Sequence, residues 1–257
     1  MAEELVSRLE RPYRRETFQG REIYVGGEGP TVILIHELGG LDLTTLDVAD
    51  QLVDAGFRVV MPLIVGRAMG TGFRSSAVVN WARICISREV HVFVTGRTSP
   101  VATWLRALAQ QEKGHHPGVG VIGMCFSGGF ALATAVDESV IAAIASQPAL
   151  PWPLLPGAGS DLGLSPDDVD CVRMRHKANE FGLLAARYTL DTKSSRDRIE
   201  RYRTEFGQDV VMEPIGTEHS VLARASDPRG PDPIATPVLE ASVALLRSRL
   251  LPDRGPR

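Results

Sequence analysis

A chain of 257 residues with 44% hydrophobic and 23% charged residues is long enough to bury a full core and has the composition of a globular protein. Its net charge of −3 and pI near 6.1 supply no basic field, which excludes partners held mainly by attraction to cations, such as nucleic acid or an anionic membrane surface. The first residues, MAEELVSRLERPYRRE, lack the apolar segment and cleavage pattern of a secretory signal, and the longest apolar runs are strand-sized, so no membrane span is expected. Cys85, Cys125 and Cys171 are odd in number and widely spaced, against both a disulfide framework and a zinc cluster; a reducing cytoplasm is the expected compartment.

In chain order, residues 21–25 form a short strand after a Gly20 turn, antiparallel to the segment before it. Residues 31–36 (TVILIH) form a continuous apolar strand. Residues 43–55 carry Leu46, Ala49, Leu52 and Val53 at helical spacing, with Gly56 as a stop. Residues 57–64 are a strand. Residues 101–113 place Val101, Trp104, Leu105 and Leu108 on one helical face and end at Gly114. A strand over 118–124 leads into a small-residue helix over 128–136, and strands follow at 140–146, 183–188 and 210–214. Residues 194–206 are a helix aligned by Ile199, Tyr202 and Phe206, with a Ser194-x-x-Asp197 capping pattern, and an amphipathic helix over 237–250 closes the chain before a frayed tail at 252–257.

Continuous apolar strands separated by helices specify an α/β fold, a mostly parallel central sheet with helices on both faces, and a single domain over 1–257. Residues 67–100 and 151–180 break the rhythm. Both follow strands at the carboxyl edge, where open α/β sheets bind ligands, and read as rims or lids.

The sharpest local signal is VGVIGMCFSGG at 119–129: an apolar strand running through Gly-x-Cys-x-Ser-Gly-Gly into a helix. This is the strand–turn–helix setting of a nucleophile elbow, with Cys125 at the apex. Large side chains two positions either side would collide with the neighbouring strand and helix. At the helix N-terminus the dipole favours the thiolate, and the Phe126 N–H is aimed at a developing oxyanion. A buried packing cysteine is the bland alternative, and Ser127, facing the packing side, is a weaker candidate nucleophile.

A cysteine nucleophile requires a base and a group to orient it, and in this fold the chain order is nucleophile, acid, histidine. Of the six histidines, His115 and His116 lie at the wrong end of the sheet, His176 on a polar helix, His91 in an irregular insertion, and His36 precedes the nucleophile. His219, in GTEHS after the last strand, is the candidate base. Asp191, at the exit of the preceding strand, is the candidate acid; its rivals are Asp197, which reads as a helix cap, and Asp167, Asp168 and Asp170, which read as first-turn dipole partners. The loop after the 31–36 strand, Glu37-Leu38-Gly39-Gly40, supplies the second oxyanion donor, assigned to the Leu38 N–H. Glu37 is unusual there, because a carboxylate opposes thiolate formation. It reads either as a gate on the thiol or as a partner of an arginine such as Arg224.

With these residues in place, the chain resembles the dienelactone hydrolase family of α/β-hydrolases from about residue 21 to 250. The resemblance rests on His36-Glu37-Leu38-Gly39-Gly40, on Gly123-x-Cys125-x-Ser127-Gly128-Gly129, on Asp191 after its strand and on Glu218-His219-Ser220. It implies a Cys–His–Asp triad of Cys125, His219 and Asp191 with Glu37 near the thiol. The elbow departs from the family in having Ser127 where Gly is usual, and residues 67–100 do not match the family pattern. The resemblance thus implies a catalytic class rather than one substrate.

The leading expectation is a hydrolase of a small ester or lactone, working through a thioester acyl-enzyme and needing no cofactor or metal. The competing expectations are a non-catalytic ligand-binding protein on the same scaffold and a redox sensor at Cys125, which has no evident resolving cysteine. Gly157-x-Gly159 lacks the setting of a dinucleotide loop and the His115-His116 pair reads as a helix-end feature. Arg74, Arg83, Arg88, Arg97 and, best placed, Arg224 are candidates for a substrate carboxylate.

Overall fold

The computed structural model describes residues 12–65, 99–149 and 159–251. Within them one eight-stranded sheet is ordered β1-β2-β4-β3-β5-β6-β7-β8. The strands are β1 (Arg14–Phe18), β2 (Arg21–Gly26), β3 (Thr31–Ile35), β4 (Arg58–Pro62), β5 (Val119–Met124), β6 (Val140–Ser146), β7 (Gly182–Ala186) and β8 (Val211–Met212). The β1–β2 and β2–β4 pairs are antiparallel and all later neighbours run parallel. This is the expected α/β architecture.

The helices are α1 (Leu43–Asp54), α2 (Pro100–Glu112), α3 (Gly128–Thr134), α4 (Pro166–Lys177), α5 (Arg196–Phe206), α6 (Val221–Ala225) and α7 (Thr236–Leu250). Their ends have local causes. Asp42 caps α1, its carboxylate accepting from the Thr45 N–H at 3.0 Å, and Gly56 leaves the helix at φ 92°. Ser99 caps α2 through the Val101 N–H and is followed by Pro100 at the first helical position. Ser165 caps α4 through the Asp168 N–H, with Asp167 and Asp168 in the first turn and Arg175, His176 and Lys177 in the last, complementary to the dipole. The cap of α5 is Ser195, one residue later than the Ser194 pattern suggested. The Ser195 hydroxyl takes the Asp197 N–H, while Ser194 is drawn inward to donate to the Pro148 carbonyl.

Because side chains alternate across a strand, each parallel strand feeds two cores. Ile33, Ile35, Val121, Ala143 and Leu183 join α2, α3 and α5 in one apolar layer. Val32, Leu34, Ile122, Ile144 and Leu184 join α1, α6 and α7 in the other. Burial of each such aliphatic side chain contributes about 1.5–3 kcal/mol, so these layers fix the sheet and with it the loops at its edge. The register brings the carboxyl ends into line: Ile35 pairs with Gly123, Met124 with Ser146, Ser146 with Ala186 and Ala186 with Met212. The residues that leave β3, β5, β6, β7 and β8 therefore emerge side by side.

The expected rim at 67–100, with Cys85, His91, Arg74, Arg83, Arg88 and Arg97, lies outside the described residues except for its last two positions. The same holds for Gly157 and for the tail at 252–257. Among the described residues, no helix is long and apolar enough to cross a membrane.

Candidate active site

Cys125 follows β5 directly and holds a positive φ of 59°. A non-glycine residue in this region is strained and persists only where its surroundings enforce it. Here the enforcement is visible. A side chain at Gly123 would place its Cβ 2.1 Å from the Ser127 carbonyl oxygen, and one at Gly128 would meet the Cα of Pro148 at 2.8 Å. The turn can close this tightly only with glycine at both positions. The Cys125 carbonyl accepts from the Ala149 N–H at 3.0 Å, tying the elbow to the segment after β6.

Ser127 occupies a place where a hydroxyl has structural work. It is fully buried, accepts from the Met124 N–H at 2.8 Å, and lies 3.0 Å from the Ile35 carbonyl and 2.9 Å from that of Met124, to which it can donate. It staples the elbow to the end of β3. Its oxygen is committed to backbone groups, as the expected packing orientation requires.

His219 follows β8 and its Nδ1 lies 2.7 Å from Asp191 Oδ2, both side chains being largely buried. Asp191 follows β7, and its other oxygen, Oδ1, accepts the N–H groups of Lys193 at 2.8 Å and Ser194 at 3.2 Å. With Oδ1 committed to backbone donors, Oδ2 is the oxygen offered to the imidazole. His219 Nε2 is buried and makes no hydrogen bond among the described residues. One donor atom each of His219, Cys125 and Glu37 lie within 4.8 Å of one another. The sequence rivals stand elsewhere: Asp168 pairs with Arg106 at 2.9 Å, Asp170 with Arg173, and Asp197 sits in the first turn of α5.

Glu37 leaves β3 in a turn closed by the Gly40 N–H on the Glu37 carbonyl at 3.0 Å, with Leu38 packed partly against the core. The carboxyl is buried and its oxygen Oε1 accepts from Gln147 Nε2 at 2.9 Å, with the Ser220 hydroxyl as a further partner. Arg224, one candidate arginine partner, is exposed on α6; among the described residues the groups that hydrogen-bond the Glu37 carboxyl are the Gln147 amide and the Ser220 hydroxyl. His36 has a structural role: its buried ring lies 2.6 Å by Nδ1 from the Glu37 carbonyl, and its Nε2 accepts the Ile64 N–H at 3.1 Å. The Ile64 bond fixes the proton on Nδ1, and burial pushes the imidazole toward its neutral form.

Burial pushes the Glu37 carboxyl above its ordinary range, opposed in part by Ser220 and His219. The Cys125 thiol is raised strongly, first by burial and then by the nearby Glu37 carboxylate; the Phe126 N–H and Lys193 act in the opposite sense. The helix N-terminus was expected to favour the thiolate. Burial and Glu37 push in the opposite direction, toward the protonated thiol. The donor types of Glu37, Cys125 and His219 would also suit a divalent ion such as zinc.

A cavity of about 380 Å³ opens beside this cluster, lined by Asp47, Asp191, Lys193, Glu218, His219 and Arg224 among others, but not by Cys125 or Glu37. Gln147, Ser220 and Lys193 are site residues that sequence reasoning did not single out. Gln147 follows the serine that ends an otherwise apolar strand, at the same edge as the other groups, and that position is the one hint the sequence held.

A mostly parallel sheet with a strained, glycine-flanked strand–turn–helix after β5 has the architecture of an α/β-hydrolase. The family model of the dienelactone hydrolase family matches residues 22–154, over half of the chain. The chain belongs to the dienelactone hydrolase family and is a carboxylic ester hydrolase of that class. The matched residues include Glu37 and Cys125, whereas Asp191 and His219 lie beyond them. Solved structures of similar fold include m3DLH (18% identity, 93% of this chain and 97% of that one, TM-score 0.59). They also include the dienelactone hydrolase-like promiscuous phosphotriesterase P91 from metagenomic libraries (18%, 93% and 97%, TM-score 0.57) and an esterase from Pyrobaculum calidifontis (14%, 96% and 89%, TM-score 0.56). No curated protein sequence matches the chain significantly.

Proposed function

We propose that the chain hydrolyses a small carboxylic ester or lactone with Cys125 as nucleophile, His219 as general base and acid, and Asp191 as the group that orients the imidazole. The observation that supports this reading is that His219 Nδ1 lies 2.7 Å from Asp191 Oδ2 while a ring nitrogen of His219 also lies within 4.8 Å of the Cys125 sulfur.

Substrate binding displaces the balance that keeps the sulfur protonated, and the thiol proton passes to His219, directly or by way of Glu37. Sγ attacks the carbonyl carbon, forming a C–S bond and placing charge on the carbonyl oxygen, where the Phe126 and Leu38 N–H groups are the assigned donors. The tetrahedral adduct collapses, the C–O bond to the alcohol breaks, and imidazolium gives its proton to the departing oxygen. Water then attacks the thioester, His219 takes its proton, and the C–S bond breaks to release the acid while the proton on His219 returns to the sulfur. Asp191 carries no proton in this scheme; it holds the proton of His219 on Nδ1 so that Nε2 is the working nitrogen. Arg224, on the wall of the cavity beside His219, is the cation offered to a distal carboxylate of the substrate. The substrate is a small molecule in this reading, without nucleic acid or membrane as partner.

The deciding experiment is Cys125→Ala assayed on short-chain aryl esters and small lactones. The side chain is small and ends at the sulfur, so the variant is expected to remain folded with turnover lost. Normal turnover by a folded Cys125→Ala protein refutes the assignment.

A further inference from the structure

Gln147 is the first residue past β6 and is fully buried. Its backbone φ is 37°, a strained value for a residue with a side chain. The strain delivers a particular pattern of bonds. The side-chain oxygen accepts from the Val221 N–H at 3.2 Å and from the Ser146 hydroxyl, while Nε2 donates to Glu37 Oε1 at 2.9 Å. A backbone N–H can only donate, so the amide oxygen must face Val221 and the NH₂ must face Glu37; the amide cannot be turned round. Val221 lies two residues past His219 and opens α6. One neutral side chain thereby links the loop carrying Glu37 to the loop carrying the candidate base.

We propose that Gln147 is a positioning residue that acts through Glu37, fixing Oε1 as a permanent acceptor so that the proton Glu37 gains and loses is carried on Oε2. This rests on the reading of Cys125 as nucleophile and of Glu37 as a proton-carrying neighbour of its thiol. The neutrality of the amide matters. An arginine at this position would hold Glu37 ionised at all working pH values, and a fixed anion would oppose the thiolate throughout the cycle. An amide orients the carboxyl while leaving its protonation open, in keeping with the upward push that burial gives it. Among the described residues, the titratable groups around Glu37 include Cys125, His219, Asp42, Lys193 and, at its backbone carbonyl, His36. Gln147 supplies the rigid, uncharged support among them.

The test is a double-mutant cycle on the full chain: Gln147→Met, a near-isostere that removes both polar functions, made alone and with Glu37→Gln. The readouts are kcat and KM on an aryl ester and the pH profile of Cys125 alkylation by iodoacetamide. With Glu37 present, losing one hydrogen bond to an ionisable group is expected to lower kcat about 10- to 100-fold with little change in KM. Loss of that donor disfavours the carboxylate, so the Glu37-linked inflection of the alkylation profile should move to higher pH. In the Glu37→Gln background the same substitution should change kcat less than about 3-fold and leave the profile unmoved. Equal losses in both backgrounds would show that Gln147 supports only the Val221 backbone, and would overturn the proposal.

Should Gln147→Met not fold, Gln147→Glu decides. In its neutral form the new carboxyl offers a carbonyl to Val221 and an O–H to Glu37, reproducing the native pattern. Its activity relative to the unsubstituted enzyme should therefore rise as pH falls. A ratio independent of pH overturns the proposal. Failure of the underlying reading looks different: Cys125→Ala would keep its turnover, or Glu37→Gln alone would be fully active.

Discussion

Glu37→Gln separates a gate from a structural carboxylate, and the structure sets both the sign and the size of the effect. Glutamine at this position can still accept from Gln147 Nε2, so the geometry at Oε1 is kept while the charge is removed. A carboxylate oxygen of Glu37 lies within 4.8 Å of the Cys125 sulfur. With an effective dielectric constant of about 20, two charges at that distance repel by about 3 kcal/mol, a factor of about 100 in thiolate population. The variant should therefore be alkylated by iodoacetamide about 100-fold faster at pH values where Glu37 is ionised. The advantage should shrink as pH falls and Glu37 becomes neutral in the parent enzyme. Turnover should nevertheless drop, because thiolate formation is no longer coupled to substrate binding. Cys171, on α4, is the internal control and should be labelled at the same rate in both proteins.

Stability gives an independent sign. The folded-state pKa of Glu37 is raised, so folding is favoured when the group is protonated and that advantage is lost as pH rises through the folded pKa. Glu37→Gln should then raise the melting temperature above that pH and leave it nearly unchanged in acid. A carboxylate ion-paired with an arginine would behave oppositely, losing stability at neutral pH on substitution. Overlapping alkylation profiles together with a lower melting temperature would refute the gating argument.

Asp191→Asn should lower kcat by about 10²- to 10⁴-fold with little loss of stability. The asparagine oxygen keeps the Lys193 and Ser194 N–H groups, and its NH₂ then faces His219 Nδ1, forcing the ring proton onto Nε2 where it blocks the base; a pH–rate profile of unaltered height would contradict this. Ser127→Ala should retain most turnover, since the hydroxyl is committed to backbone, but it strands the buried Met124 N–H at a cost of about 1–3 kcal/mol. A melting temperature lower by roughly 2–4 °C per kcal/mol is the expected readout, and complete loss of activity in a folded protein would reopen Ser127 as nucleophile.

Much of this site was legible because it depends on chain order and strand exits. A glycine-flanked cysteine after an all-apolar strand, then an aspartate and a histidine at later exits, are local patterns, and parallel pairing brings them together automatically. What the sequence left ambiguous was decided by side-chain reach across strands. Whether Glu37 met Arg224 or something else depended on which residue β6 presents 110 positions later in the chain. Gln147 is at that exit, but a single glutamine carries no periodic or compositional signal. Ser195 rather than Ser194 caps α5 for a similar reason: adjacent serines are equivalent in the sequence, and only the Pro148 carbonyl distinguishes them.

The same edge pushes the Cys125 thiol toward its protonated form although it stands where a helix begins. A helix of seven residues preceded by a single 3-10 turn offers partial charges, whereas Glu37 offers a full one in a buried setting. In such a contest the full charge dominates unless it is neutralised, and its partners Gln147 and Ser220 orient it without neutralising it. Only a proton, or a substrate that reorders these bonds, can relieve the repulsion. In the proposed mechanism the reactivity of Cys125 is therefore governed less by its own turn than by the protonation of a side chain from the neighbouring strand, and a substrate is selected partly by its ability to disturb the Glu37–Gln147 pair as it enters.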